Sequence, residues 1–411
     1  MKQATILLVI YLSANIGLSQ GFITSRGTSM VDGQGNDIQL KGICLANWLV
    51  PEGYMLQLGN VDSPRKINTL LTELIGEARA QEFWKTYLEN YITKKDIQFI
   101  KEQGFNHVRL FIHYKLLTDD DYLGQNRQGY EQIDNIVRWC QETGLFVLLD
   151  MHCAPCGQSG ENYDDSYGYP WLLRSEVCQQ KLINVWKEIA NRYKNNPVVM
   201  GYDLLNAPLA PYFGEDMNQL NHSLVNLYKE TIKAIREIDK NHLIFVQFPE
   251  YHENLNAMEG LESENIVFSF QRYFTETNQS AVQKYIDFAE RHQAPVYVCE
   301  AGENTLQWIG DMRKLFDENK LSWCFHPYKE IQGSIFYIES KDPSSVVGIK
   351  KPKNWNVISE FGALDRSSFS TIRENKPAPE LVKKILEEFL ENCKFENCIV
   401  SDVFIHALGL K

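Results

Sequence analysis

Lys94-Lys95-Asp96-Ile97-Gln98-Phe99-Ile100-Lys101-Glu102-Gln103-Gly104-Phe105-Asn106-His107-Val108-Arg109-Leu110-Phe111-Ile112-His113 is the stretch on which the fold turns. Residues 94–103 carry apolar side chains at helical spacing. Gly104 then breaks the pattern, and 107–112 is a nearly continuous apolar run with one stranded cation, Arg109. An amphipathic helix feeding a strand apolar on both faces is half of a βα repeat whose strand is covered on both sides. Outward from here the alternation repeats. Strand-like runs fall at 38–43, 107–112, 146–151, 198–205, 243–247, 266–270, 296–299 and 333–338. Helical segments at 94–103, 130–143, 178–193 and 220–238 lie between them. Eight such units predict an α/β fold of the (β/α)8 barrel type. A doubly wound sheet is the alternative, but no Gly-x-Gly-x-x-Gly follows an early strand.

The 411 residues contain no internal repeat or low-complexity linker, so residues 20–411 read as one domain and a monomer is expected. Lys2, the apolar run over residues 4–12, and the small residues Gly17 and Ser19 read as a signal peptide over residues 1–19, cleaved before Gln20. Secretion is therefore expected, to the extracellular space or, in a bacterium, the periplasm. No later run has the length of a membrane span. A net charge of −12 argues against nucleic acid as a partner. Nine cysteines leave at least one unpaired, and Cys393 and Cys398 are close enough in sequence to bond. Asn221-His222-Ser223 and Asn278-Gln279-Ser280 match the glycosylation sequon.

On such a barrel the chemistry sits where strands end. The polar and aromatic residues at those ends are Trp48, Glu52, Arg109, His113, Tyr114, Asp150, His152, Asn206, Gln271, Tyr273, Glu300 and Trp323. Each alone is explained by a cap or an ion pair; together they point to one mouth.

From about Gly33 to Trp355 the chain resembles glycoside hydrolase family 5, the cellulase-type retaining enzymes. The resemblance is carried by 40–55 (LKGICLANWLVPEGYM), 104–110 (GFNHVRL), Leu149-Asp150-Met151-His152, Leu204-Leu205-Asn206-Ala207-Pro208, 295–304 (PVYVCEAGEN), and Trp323 followed by Pro327-Tyr328-Lys329. It implies a β-linked glycan such as β-glucan, or a β-glycoside, as partner and no cofactor or metal. Glu300 would be the nucleophile. Arg109, His152, Asn206 and Tyr273 would support it, with Trp48, Trp171 and Trp323 as stacking platforms. Retaining chemistry needs a second carboxyl roughly 5–5.5 Å from the first, to protonate the leaving oxygen and then activate water. The family's acid/base Glu is here Ala207, and losing a general acid typically costs about 10²- to 10⁴-fold. Gln271, His326, Cys156, Cys299 and Phe111 also depart from the family pattern, as does Phe248-Pro249-Glu250-Tyr251. The expected protein is a glycan-binding barrel with weak or absent turnover. The competing reading is an active retaining β-glycosidase that recruits Glu250 or Glu303 as the acid or takes an activated substrate. A third, a metal or redox site at Cys153-x-x-Cys156, lacks a second ligand pair.

Overall fold

The computed structural model describes residues 21–124, 129–333 and 342–410. Eight parallel strands close into a barrel: β1 (Lys41–Leu45), β2 (His107–His113), β3 (Phe146–Cys153), β4 (Val199–Asp203), β5 (Leu243–Gln247), β6 (Ile266–Arg272), β7 (Val296–Gly302) and β8 (Ser322–His326), with β8 pairing back onto β1. The last strand is a correction to the sequence reading. The run at 333–338 lies, apart from Gly333, outside the described residues, and the barrel closes with Ser322–His326 instead. The predicted signal peptide, residues 1–19, also lies outside them.

Three helices follow β1: α1 (Pro64–Ile75), α2 (Glu77–Asn90) and α3 (Lys94–Glu102). The others of the barrel are α4 (Gly129–Thr143), α5 (Glu176–Tyr193), α6 (Met217–Arg236), α7 (Gln283–His292) and α8 (Leu306–Glu318). Between β5 and β6 a short 3-10 turn, Leu255–Met258, stands where a helix is usual. Local sequence sets the helix starts. Pro64 opens α1, where a missing N–H costs nothing. Thr93 and Asp96 form a reciprocal capping box on α3. Thr305 caps α8 through the Trp308 N–H.

Side-chain parity divides the core in two. Cys44, Phe111, Leu148, Met200, Phe245, Val267, Tyr297, Cys299 and Cys324 fill the barrel interior. A hairpin of two short strands, Thr24–Arg26 and Ser29–Val31, lies against it, with Ile23 and Met30 in the same cluster. The alternate residues, among them Val108, Leu110, Leu149 and Val298, face the helices. Two interruptions of this alternation prepare the site. Against both its neighbours β7 carries one extra residue beyond Val298, since Phe270 and Gln271 pair with Val298 and Glu300, and Trp323 and Phe325 with Val298 and Ala301. Strict alternation would turn Glu300 toward the helices; the bulge turns it back over the mouth. A similar slip lets β3 skip His152 in its pairing with β2.

Cys156 bonds Cys178, tying the loop after β3 to the first turn of α5. This replaces the Cys153-x-x-Cys156 pairing considered from sequence: Cys153 is a free, buried thiol of the barrel interior. Cys393 and Cys398 are both free, so their pairing is not found either. Spacing cannot choose among partners that only folding brings together.

After β8 the chain pairs Lys329–Ile331 with Val347–Ile349, and that strand with Ile399–Val400. Lys329 is fully buried, 2.5 Å from Asp96, and also donates to the backbone oxygens of Tyr91 (2.7 Å) and Cys393 (3.3 Å). It thereby joins this small sheet to the cap of α3. Lys329→Met should lower stability by about 3–5 kcal/mol, because Asp96 would stay buried without its cation. A urea melt reads the change directly, and a loss below about 1 kcal/mol would mean the pair is dispensable.

Candidate active site

Arg109 points into the upper barrel from β2 and is fully buried. Its Nε and Nη2 donate to one oxygen of Asp203 at the end of β4 (3.0 and 2.8 Å). Nη2 also lies 3.0 Å from Asp150 on β3 and donates to the Asn206 amide oxygen at 3.1 Å. Nη1 donates to Glu300 on β7, whose other oxygen accepts from the Tyr273 hydroxyl at 2.7 Å. One guanidinium therefore serves three carboxylates from three strands.

The surrounding amides fix one another's orientation. Asn206 Oδ1 accepts from both Arg109 and Gln271 (2.9 Å), so its NH₂ group is the one facing His152 Nε2 at 3.3 Å. His152 Nε2 is then the acceptor, and its Nδ1–H donates to Asp150 at 2.8 Å. Phe111 stacks on the His152 ring at 3.8 Å. Gln158 anchors the strand ends from outside, donating to the backbone oxygens of His152 (2.7 Å) and Asn206 (3.0 Å).

Charge is distributed unequally over the carboxyls. Burial alone would push Glu300 up, but Arg109, His326 and the Tyr273 hydrogen bond outweigh it and hold Glu300 below its ordinary value of 4.5. Burial dominates for the other two and pushes Asp150 up to about 8 and Asp203 to about 7. One cation does not balance three anions in a low-dielectric site, so near neutral pH the proton resides on the Asp150 side while Glu300 stays ionised. Burial also drives His152 well down, keeping it neutral. The Glu300 side chain retains 7% exposure, so it is reached from the cleft.

Ala207 follows Asn206 directly. Its N–H is held by Gln247 at 2.8 Å, and its backbone is left-handed at φ 37°. A methyl group there supplies no proton. Both carboxylates considered as substitutes have other partners. The Glu250 carboxylate accepts from Asn221 (2.8 Å) and Asn254 (2.7 Å), tying its loop to α6. Glu303 lies 3.6 Å from His326; burial would raise it, but His326 and the Tyr54 hydroxyl win and keep it ionised.

Of the residues expected at the mouth, Arg109, His152, Asn206, Tyr273 and Glu300 come together. Trp48 and Trp323 do not. Trp48 is 1% exposed, donates to the Leu88 carbonyl of α2 at 2.9 Å, and belongs to the layer between strands and helices. Trp323 pairs with Lys41 at the start of β1, the far end of the barrel from the mouth, and donates to Asp317 of α8 at 3.0 Å. Trp171 is half exposed on the loop between β3 and α5. His113 lies 3.5 Å from Asp165 and stacks on Tyr122, off to one side with Tyr114. Asp203 and Gln247 were not singled out from sequence. The signal was available, since each is a polar residue closing an apolar strand, like Asp150.

Comparison with known proteins agrees with this geometry. Residues 72–330 match the family model for cellulase (glycosyl hydrolase family 5). A β-xylosidase of Phanerodontia chrysosporium is 24% identical over 348 residues, covering 75% of this chain and 71% of that protein. Endoglucanase C of Acetivibrio thermocellus is 32% identical over 206 residues, 49% of this chain and 56% of that one. Among solved structures, rutinosidase from Aspergillus niger superposes with a TM-score of 0.62 at 16% identity, covering 78% of this chain and 97% of that one. An endogalactoceramidase gives 0.58 at 16% identity, over 76% and 75% of the two chains. A closed eight-stranded barrel with Arg109, Asn206, Tyr273 and Glu300 converging at its mouth, and a family match over more than half its length, make this chain a member of glycosyl hydrolase family 5.

Proposed function

We propose that this protein is a secreted, monomeric binder of β-linked glucans or related β-glycosides, with Glu300 as a competent nucleophile and no general acid to complete ordinary hydrolysis. The observation that carries the reading is Ala207, in the acid/base position beside an otherwise complete nucleophile shell. Arg109 and Tyr273 provide what a carboxylate nucleophile requires, ionisation and a fixed direction. The second N–H of the Asn206 amide is left for the sugar 2-hydroxyl. The names of the relatives, β-xylosidase and endoglucanase, support a β-glycan as ligand. The Cys156–Cys178 bridge supports an oxidising destination and hence export. Secreted material should accordingly begin near Gln20; intact-mass measurement finding Met1 retained would refute export.

The chemical test uses an activated substrate. A 2,4-dinitrophenyl β-glucoside should glycosylate Glu300, seen by peptide mass spectrometry, and azide should release the sugar as the β-glycosyl azide. Ala207→Glu should restore cleavage of ordinary β-glucan by less than the roughly 10²-fold of a general acid, because Gln271 and His326 still shape the subsite differently. Ordinary turnover of β-glucan by the unaltered protein would overturn the proposal.

The acid side of the pH profile follows from the sign of the Glu300 shift. A carboxyl held below its ordinary value stays ionised as the pH falls through 4.5 and is lost as a nucleophile only beneath it. The midpoint of the acid fall-off in the rate of adduct formation should therefore lie below pH 4.5. Tyr273→Phe removes one hydrogen bond to the charge, worth about 1.5–3 kcal/mol, and should move the fall-off to higher pH. A profile unchanged by that substitution would remove Tyr273 from the site.

A further inference from the structure

We infer that the ligand carries a phenolic aglycone, seated on the loops that follow β3, β4 and β5. The inference rests on the reading of Glu300 and Ala207 above and adds the leaving-group class. Without a proton donor, a leaving group departs from the sugar as an anion. A sugar alkoxide is far too basic to do so readily; a phenolate is stable enough. The chemistry left to the site therefore selects for aglycones that need no protonation.

The surface on the leaving-group side is aromatic. The segment just past Ala207 is joined to both neighbouring loops: Leu209 and Ala210 donate to the carbonyls of Gln158 (3.0 Å) and Ser159 (3.1 Å), and Glu250 donates to that of Leu209 (2.8 Å). On these three loops stand Tyr163, whose hydroxyl is 3.5 Å from the Ala207 carbonyl, and Tyr212 and Tyr251, which are 54% and 46% exposed. Phe213 packs 4.9 Å from Tyr212. The hydroxyls of Tyr212 (2.5 Å) and Tyr251 (2.7 Å) both donate to one oxygen of Glu161. That carboxylate fixes the two rings, each of which stays about half exposed. A flat aromatic aglycone finds both rings held in position. Each such ring contact is worth about 0.5–1.5 kcal/mol beyond its buried area.

The reaction balances without a further group. A Glu300 oxygen bonds to the anomeric carbon as the carbon–oxygen bond to the phenol breaks. The phenolate leaves with the electron pair and takes its proton from solvent. Water then attacks the same carbon, Glu300 departs as carboxylate, and the proton is lost to solvent. With no base for that second step, release of phenol should be a burst of about one equivalent per protein followed by slow turnover.

The test compares 4-methylumbelliferyl β-glucoside with β-glucosyl fluoride, whose leaving group needs neither a proton nor a ring. The full chain should show the burst with the aryl glucoside and label Glu300 with both. Selectivity for the aryl substrate over the fluoride, as the ratio of labelling efficiencies, should fall about 5-fold for Tyr212→Ala and again for Tyr251→Ala. The Phe variants, which keep the rings, should lose less. If both substrates label Glu300 but the ratio ignores the Ala variants, the aglycone proposal fails and the nucleophile reading stands. If neither labels Glu300, the reading beneath it fails as well.

Discussion

The constraint on which the mouth of this barrel depends is the burial of one guanidinium. Arg109 is fully enclosed, and a buried cation that cannot shed its proton must be met by anions and acceptors. It is met by Asp150 from β3, Asp203 from β4, Asn206 beyond β4 and Glu300 from β7. These partners come from strands far apart in sequence, so the ion cluster sets the upper end of the barrel as surely as hydrophobic contacts set its middle. It also sets up a competition. Three acids share one positive charge, and the outcome is decided by what else each touches. Glu300 adds Tyr273 and His326 and stays ionised; at Asp150 and Asp203 burial dominates and they rise.

Much of this was legible in the sequence because it follows from periodicity and residue type. Alternating helical and strand-like runs specify the barrel, and a lone Arg or Glu inside an apolar strand stands out because burying it has to be compensated. The failures have one physical origin. A strand sequence shows that a residue lies on a strand, but not at which end or on which face. Trp48 and Trp323 are aromatic, near strands and at resemblance-bearing positions, yet both face the helices. Conversely, Glu300 lies on the wrong parity for the mouth and gets there only through an extra residue in β7, which no spacing rule reveals. The Cys156–Cys178 bridge was hidden for the same reason, since it depends on where the loop after β3 meets α5.

On the proposed reading, position 207 marks a site that has lost one function without losing its frame. The backbone there is left-handed, a conformation costing a non-glycine residue roughly 1–2 kcal/mol, and the Gln247 amide holds its N–H in place. A methyl side chain gains nothing from that strain. The surrounding bonds impose it, since Gln247 also donates to Asp203 at 2.9 Å and so belongs to the Arg109 cluster. Relaxing the backbone at Ala207 would disturb the shell of Glu300.

On that reading what remains is half of a two-carboxylate mechanism, and that half is useful in both directions. A carboxylate stabilised by Arg109 and Tyr273 is ionised when it attacks and is also a good leaving group when the sugar is later displaced. Arg109 and Tyr273, which help to hold Glu300 below its ordinary pKa, therefore favour breakdown of the glycosyl ester as well as preparing its formation, by stabilising the released anion. What Ala207 would withhold, in the acid/base position proposed for it, is proton transfer at the departing and arriving oxygens. The barrier thus passes from the protein to the chemistry of its ligand, and ligands differ far more in leaving-group basicity than a lost side chain can mask.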